Sequence, residues 1–276
     1  MIPFDFNYYR PATIEEAVAL YMRLDQKGKW PLYWSGGTEI ATFARLNQIY
    51  TEAVIDLKGI PECRALAVEE QEMTLGSALT LSEIHDSEIF PLLGATGSGI
   101  ADRTSRNKIT LGGNVCSELI YKEAILPLLL ADSDVIVAGV SGARRLPIAQ
   151  LFQRSMQLAK GEFLVQFKVN TSYRLRPYTS VKKRKQSAIG YPIITVATLT
   201  TESGSRFAFS GLCDFPFRSE EIEKILNQHE LPVGERIRQA EDRLPAPIRS
   251  DMLASANYRR LVWQVTLEDL LANMEA

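Results

Sequence analysis

The chain has 276 residues, 46% hydrophobic and 23% charged, with a formal net charge of −2. This ordinary globular mix excludes wholesale disorder and collagen-like or coiled-coil composition, and its near-neutral balance offers no whole-protein attraction to nucleic acid. The length suits roughly two domains, each able to bury a core.

Cys63, Cys116 and Cys213 stand far apart, which excludes a CxxC pair and any local four-thiolate spacing for zinc or an iron–sulfur cluster. So odd and sparse a count argues against a disulfide framework and for reduced thiols in a cytoplasmic protein. His85 and His229 are the only histidines, too few for a histidine-rich metal site. The start MIPFDFNYYRP lacks the basic and apolar pattern of a signal peptide. The longest apolar run, Ala124 to Ala131 interrupted by Pro127, falls far short of the ~20 residues a membrane helix needs.

In chain order, Thr13 and Glu16 form a capping-box pattern at the head of an amphipathic helix over 13–25. Leu32 to Trp34 reads as a short strand, Ser35-Gly36-Gly37-Thr38 as a turn, Glu39 to Leu46 as a helix, and Val54 to Leu57 as a second strand. Helix, strand, glycine turn, helix, strand is the order of a small α/β unit with a parallel sheet. Further on, Met73 to Gly76 reads as a strand, Leu81 to Asp86 as a helix start, and Phe90 to Ile100 as a glycine-rich helix. Thr110-Leu111-Gly112-Gly113-Asn114 reads as a second glycine turn leading to the apolar Ile125 to Leu130 segment. Asp134 to Ala138 is a predicted strand, Gly139 to Arg145 a turn, Ile148 to Phe152 a short helix and Glu162 to Val169 a strand. From Phe163 to Thr201 the chain holds no acid, while Arg174, Arg176 and Lys182 to Lys185 are basic. Ile193 to Leu199 and Phe207 to Leu212 are predicted as a hairpin, followed by helices over 219–228, 233–243 and a long segment ending near Glu275. A boundary is expected near residue 173.

A turn such as Ser35 to Thr38, followed directly by a helix, presents backbone N–H groups and a positive helix end to an anion, and glycine lets the backbone come close. The spacing is neither GxGxxG nor a P-loop, and a tight strand-to-helix turn explains an isolated glycine pair equally well. The second turn adds Thr110, Asn114 and Ser117, short hydrogen-bonding side chains suited to ribose, phosphate or a flavin edge. Two such turns fit an extended dinucleotide. Cys116 lacks a nearby His or Lys cluster and reads as packing. Trp34 fits either a cofactor ring or the core, and the basic stretch fits either an acidic partner or a protected strand edge.

Several segments, in order, resemble the FAD-binding medium subunit of molybdenum hydroxylases, the xanthine dehydrogenase and carbon monoxide dehydrogenase group. They are Phe6 to Pro11 with Thr13 to Ala17, Ser35 to Ile40, Ile55 to Ile60, Arg106-Asn107 with Thr110 to Asn114, and Arg184. The resemblance implies a mixed α/β (α+β) fold: a two-subdomain FAD-binding domain over 1–173 and an α+β C-terminal domain over 174–276. The subdomains are a small parallel α/β unit over about 1–58 and a larger mixed-sheet unit over 59–173. It also implies a FAD site formed by Tyr33, Trp34, Ser35, Gly36, Gly37, Thr38, Glu39 and Ile40 in a first segment and by Ile100, Ala101, Ile109, Thr110, Gly113, Asn114 and Cys116 in a second. Glu123 falls where the family commonly has an aspartate near the ribose, and Leu164 at an apolar position beside the isoalloxazine.

This sequence departs from the family at Leu119-Ile120-Tyr121-Lys122-Glu123, where Ser-Pro-x-x-Asp is usual. Thr179 stands where a lysine is common, and Gln186-Ser187-Ala188 where Asp-Ile-Ala is. By resemblance, a large subunit holds molybdopterin, a small subunit holds two [2Fe–2S] clusters, and this chain's FAD passes electrons to NAD or another acceptor, in an assembly up to a dimer of heterotrimers. No catalytic acid, base, nucleophile or metal ligand is expected in the chain itself, and part of the basic stretch, including Lys182, Lys183 and Lys185, is expected to face a partner. The alternatives are a stand-alone flavoprotein of the vanillyl-alcohol-oxidase-like type, which co-purifying subunits would argue against, and a non-catalytic docking subunit, which flavin absorption would argue against.

Overall fold

A computed structural model describes residues 2–185 and 189–275. The first sheet is wholly parallel, in the order β1 (Asn7–Tyr9), β3 (Ala53–Asp56), β2 (Leu32–Trp34). Helix α1 (Ile14–Gln26) connects β1 to β2, and α2 (Thr38–Arg45) connects β2 to β3. The Thr13 hydroxyl caps α1 by accepting from the Glu16 N–H, while the Glu16 carboxylate accepts from the Ala12 N–H. Ala17, Leu20 and Leu24 of α1 bury against Ala53 and Ile55, the helical spacing that the sequence displays.

The second sheet runs β4 (Leu66–Val68), β5 (Glu72–Gly76), β8 (Phe163–Asn170), β6 (Asp134–Gly139), β7 (Gly142–Pro147). Every pairing in it is antiparallel, so parallel and antiparallel strands are divided between sheets and not mixed within this one. The segment expected as a turn over Gly139 to Arg145 is mostly strand β7, which turns back at Val140-Ser141 with Gly142 at φ +93°. Between β5 and β6 lie α3 (Leu81–Ser87), α4 (Pro91–Ser98), α5 (Arg103–Arg106), α6 (Leu111–Val115) and α7 (Ile125–Leu130); α8 (Ile148–Leu151) follows β7. Helix α7 is buried along its whole length, as its unbroken apolar sequence requires.

The third sheet is antiparallel, β12 (Phe217–Arg218), β11 (Gly204–Ser210), β10 (Pro192–Thr201), β9 (Tyr178–Arg184), with β9 at its edge. Helices α9 (Glu220–Leu226), α10 (Val233–Glu241) and α11 (Ala256–Glu275) cover one face of it. Its other face gives Ala197, Leu199 and Ala208 to the core of the second layer, while Ala138, Phe163 and Val165 of the second sheet join the core of the first. The layers therefore share hydrophobic cores. Arg259 of α11 is fully buried and donates to the Ile193 and Gly211 carbonyls and to Asp251, fixing the helix on β10 and β11.

The start of α3 carries a capping box, with Thr80 and Glu83 satisfying each other's N–H groups. Burial alone would raise the Glu83 carboxyl, but the Arg64 guanidinium and the Thr80 N–H and hydroxyl outweigh it and bring the pKa to about 2. A folded-state pKa below the ordinary 4.5 makes this stabilisation present at neutral pH and lost as pH falls through about 4 toward 2. Thermal melts should therefore show Glu83→Gln less stable than the wild type at pH 7, with the two curves converging at pH 2. A difference that persists unchanged at pH 2 would contradict the assignment.

Candidate functional site

The site is built where the carboxyl ends of the parallel strands meet the helices of the second layer, the usual position for a ligand crevice in an open α/β sheet. Beyond Trp34, the chain turns through Ser35-Gly36-Gly37 into α2. Gly37 has φ +68°, and a Cβ there would lie 2.0 Å from the Trp34 ring. Trp34 is tucked under this turn, half-buried and stacked on Phe6 with ring centroids 6.4 Å apart. Gly36 answers a different need: a Cβ would stand 2.0 Å from the Lys108 carbonyl oxygen. The first turn thus packs directly on the backbone that leads into the second segment.

Two further contacts brace this turn. The Lys58 ammonium bridges the Ser35 carbonyl at 2.6 Å and the buried Asp56 carboxylate at 2.8 Å. The Glu39 carboxylate accepts from the Ser117 hydroxyl and, at 2.8 Å, from the Glu118 N–H, strapping α2 to the loop beyond α6. Helix α2 begins without a side-chain cap, whereas Thr13, Thr80, Asp102 and Thr110 cap their own helices. The N–H groups of Thr38, Glu39 and Ile40 accordingly point out of an uncapped, partially positive helix end.

In the second segment, the expected glycine turn is the first turn of α6, with the Thr110 hydroxyl as its cap, accepting from the Gly113 N–H. Gly112 packs on Ser77, where a Cβ would come within 2.7 Å of the serine Cβ. The Val165 carbonyl of β8 accepts from the Ser77 N–H, which carries the β5–β8 ladder one residue past Gly76 and sets this serine beside α6. Gly113 is exposed, and apart from its own cap hydroxyl nothing lies within 4 Å of where its Cβ would be. Ile109 joins the edge of the core, and its carbonyl accepts from the Leu81 N–H. The Asn114 side-chain oxygen accepts from the Ala124 N–H and so orders the loop before α7. Cys116 is exposed as a residue, yet burial around its sulfur pushes the thiol up to about 12, which leaves no thiolate at neutral pH.

Ile100 and Ala101 form a strained turn, with Ala101 at φ +47°. Arg106 holds it by donating to the Ile100 and Ala101 carbonyls at 3.0 and 2.9 Å. The preceding Gly99 carbonyl accepts from Lys182 at 2.8 Å and Arg184 at 2.7 Å, so three cations converge where α4 ends.

Three residues expected at the cofactor are turned inward. Glu123 is 4% exposed, and its two oxygens are taken by Lys182 at 2.7 Å and Thr195 at 2.6 Å. Burial pushes its carboxyl up and the Lys182 ammonium down. It joins the second layer to the third, each of its oxygens already accepting a hydrogen bond from the third sheet. Leu164 is 3% exposed within the second core. Tyr33 stacks on Tyr21 and donates to the Gly161 carbonyl at 2.9 Å on the core side of its strand. The remaining residues of both segments surround the Gly36–Lys108 contact or the turn at Ala101. Lys182, expected to face a partner, is an internal residue. No motif marks Ser77 or the Lys108 carbonyl, for which the end of a strand at Gly76 is the one signal, and Lys58 falls in the Ile55 to Ile60 segment of the resemblance without being expected to brace the turn. Gln186-Ser187-Ala188 lie outside the described residues.

A family model for the FAD binding domain in molybdopterin dehydrogenase matches residues 4–170, and the chain belongs to that family. The carbon monoxide dehydrogenase medium chain of Hydrogenophaga pseudoflava is 27% identical over 175 residues, 61% of this chain and 60% of that one. The xanthine dehydrogenase FAD-binding subunit of Escherichia coli O157:H7 is 28% identical over 151 residues, 52% of this chain and 50% of that one. The chain thus matches between half and three fifths of the length of these two relatives. The glyceraldehyde dehydrogenase medium chain of Sulfolobus acidocaldarius is 24% identical across 96% of both chains. Among solved structures, carbon monoxide dehydrogenase from Hydrogenophaga pseudoflava contains a chain that superposes with a TM-score of 0.86 at 21% identity, covering 98% of this chain and 96% of that one. Quinoline 2-oxidoreductase from Pseudomonas putida 86 gives 0.82 at 16% identity, covering 99% and 97%. These likenesses establish the fold, a mixed α/β arrangement with one parallel and two antiparallel sheets.

The two glycines should separate by experiment. Gly36→Ala drives a Cβ into a backbone carbonyl and should cost about 1–3 kcal/mol in denaturant unfolding. Gly113→Ala disturbs only a cap hydroxyl and should cost about 1 kcal/mol or less. Equal losses would contradict the contact at Lys108. For the buried pair, Lys182→Met strands a carboxylate and should cost on the order of 3–5 kcal/mol, most of it recovered when Glu123→Gln is added. A Lys182→Met variant as stable as the wild type would show the pair to be solvent-exposed.

Proposed function

We propose that this chain is the FAD-carrying subunit of a molybdenum-containing hydroxylase or dehydrogenase, with residues 1–173 as its FAD-binding domain and 174–276 as its C-terminal domain. The observation that carries the reading is the family match over residues 4–170 falling on two segments that the Gly36–Lys108 contact brings together. FAD, when bound, supplies an acceptor and donor of two electrons. The protein's part is to bind, orient and insulate it.

The residues fit such a group. The uncapped end of α2 offers N–H groups to a diphosphate, and the buried Ser35 hydroxyl has no partner among the described residues. The open side of Gly113 admits close approach to the backbone. Trp34, half-buried at the same turn, offers an aromatic surface. Thr38, Glu39, Ile40, Ile100, Ala101, Ile109, Thr110, Asn114 and Cys116 complete the proposed wall, with Ala101 held in place by Arg106.

On this reading the electrons arrive from [2Fe–2S] clusters of a small partner subunit, reduced in turn by a large subunit that carries molybdopterin. They leave to NAD or another acceptor. Assembly up to a dimer of heterotrimers and a cytoplasmic location belong to the same proposal. Among the described residues, no group of three or more His, Cys, Asp or Glu is placed to hold a metal, and no helix is long and apolar enough to cross a membrane.

The purified chain should show visible flavin absorption and, once stripped, take up one FAD per chain with quenching of flavin fluorescence. Ser35→Ala should weaken that uptake roughly tenfold, the worth of one strong hydrogen bond, with little change in melting temperature. Absence of flavin bands together with no uptake on titration would overturn the reading. Reduction of the bound flavin by NADH would support NAD as the acceptor, and its failure would exclude it.

A further inference from the structure

Helix α11 has more apolar surface than its packing uses. Trp263, Leu267, Leu270 and Leu271 bury against the third sheet. A second stripe, Tyr258, Leu261 and Val265, stands 51%, 54% and 45% exposed. A helix covered on one side normally carries polar residues on the other. The spare stripe borders a groove of about 640 Å³ whose opposite wall is β9, the edge strand of the third sheet, through Lys183, Arg184 and Lys185.

The charges on that wall divide in two. Lys182 and Arg184 turn toward the second layer and are held by the Gly99 carbonyl. Lys183 pairs in register with Ile194, whose side chain belongs to the core under α11, so it faces the groove side; Lys185 follows at the end of the strand and reaches only the Met252 carbonyl. Neither forms an ion pair with a carboxylate among the described residues, and no acid occurs between Phe163 and Thr201 to supply one.

We propose that this groove seats an acidic segment of a partner subunit that carries apolar side chains between its carboxylates. The apolar side chains cover Tyr258, Leu261 and Val265, and the carboxylates meet Lys183 and Lys185. Charge complementarity selects the occupant. A second copy of this chain would bring one lysine-rich edge against another, the arrangement by which edge strands avoid pairing with themselves. An exposed apolar stripe beside unpaired cations is instead the composition of an interface, with an apolar centre and a charged rim that steers and orients the partner. The proposal rests on the multi-subunit reading above and assigns it a surface on the C-terminal layer, between β9 and α11.

The test uses the full chain co-expressed with the molybdenum and iron–sulfur subunits, comparing wild type with Lys183→Glu/Lys185→Glu and with Leu261→Ser/Val265→Ser. All four positions lie outside the cofactor segments. Complex recovery by size exclusion should fall about tenfold or more in both variants, the loss that follows from removing roughly 1.4 kcal/mol of interface energy. FAD per chain and the melting temperature of the free chain should stay at wild-type values. Raising salt should weaken the wild-type complex and leave the residual association of the lysine variant unchanged. Wild-type recovery in both variants would overturn the proposal, as would a wild-type chain that carries FAD and joins neither subunit. A dimer of the free chain abolished by Leu261→Ser/Val265→Ser would overturn it in favour of self-association. A chain that assembles through this groove without FAD would instead refute the flavin reading and leave the docking surface standing.

Discussion

The site depends on a contact made without a side chain. The Lys108 carbonyl lies so close to the Cα of Gly36 that a Cβ there would stand 2.0 Å from its oxygen. Through it, the end of the parallel sheet and the approach to α6 behave as one wall. The Lys58 bridge to Ser35 and the Glu39 strap to Ser117 and Glu118 hold the same two segments from either side. Such backbone approach cannot be adjusted by rotamer changes, so the geometry is set by the fold. That rigidity is what a cofactor site needs if binding is not to be spent on ordering the protein.

A second constraint joins this wall to the C-terminal layer. Helix α4 ends in carbonyls that receive Arg106, Lys182 and Arg184, and Lys182 also neutralises the buried Glu123. The strained conformation of Ala101 persists because these partners over-determine it. A desolvated ion pair gains little stability over an apolar pair of the same shape, but breaking one half of it is costly. Its consequence here is registration: the third sheet can sit on the second layer in the position that satisfies Glu123, Thr195 and Gly99 together. The lysine that composition alone would assign to a surface patch is thereby an internal strut, and the outward charge of β9 falls to Lys183 and Lys185.

Much of the architecture was legible in the sequence because local rules and tertiary packing agree. The capping pattern at Thr13 and the apolar periodicity after it mark α1, and the hairpin between β10 and β11 follows from two apolar runs around Ser203-Gly204. Strand β7 was not legible. It is an exposed edge whose Arg144 and Arg145 are held by Glu162, Asp134 and Glu72, so it lacks the alternation that identifies a half-buried strand. At the candidate site, glycine spacing marks the two segments that the structure brings together, but it does not give side-chain direction. Strand alternation puts Tyr33 and Trp34 on opposite sides, and nothing local says which side is core. For Glu123 the deciding partner lies 59 residues further along the chain, at Lys182. Leu164 poses a related problem, since an apolar residue on a central strand fits a cofactor wall and a core equally well until the covering layer is known, and here it sits in the core.

A crystal structure of the chain with FAD bound tests the central claim most directly. The account predicts the diphosphate between the start of α2 and the exposed face of Gly113, within hydrogen-bond distance of the Ser35 hydroxyl, with Gly36 still seated on the Lys108 carbonyl. FAD bound elsewhere on the surface, or bound only after the Gly36–Lys108 contact has opened, would contradict it.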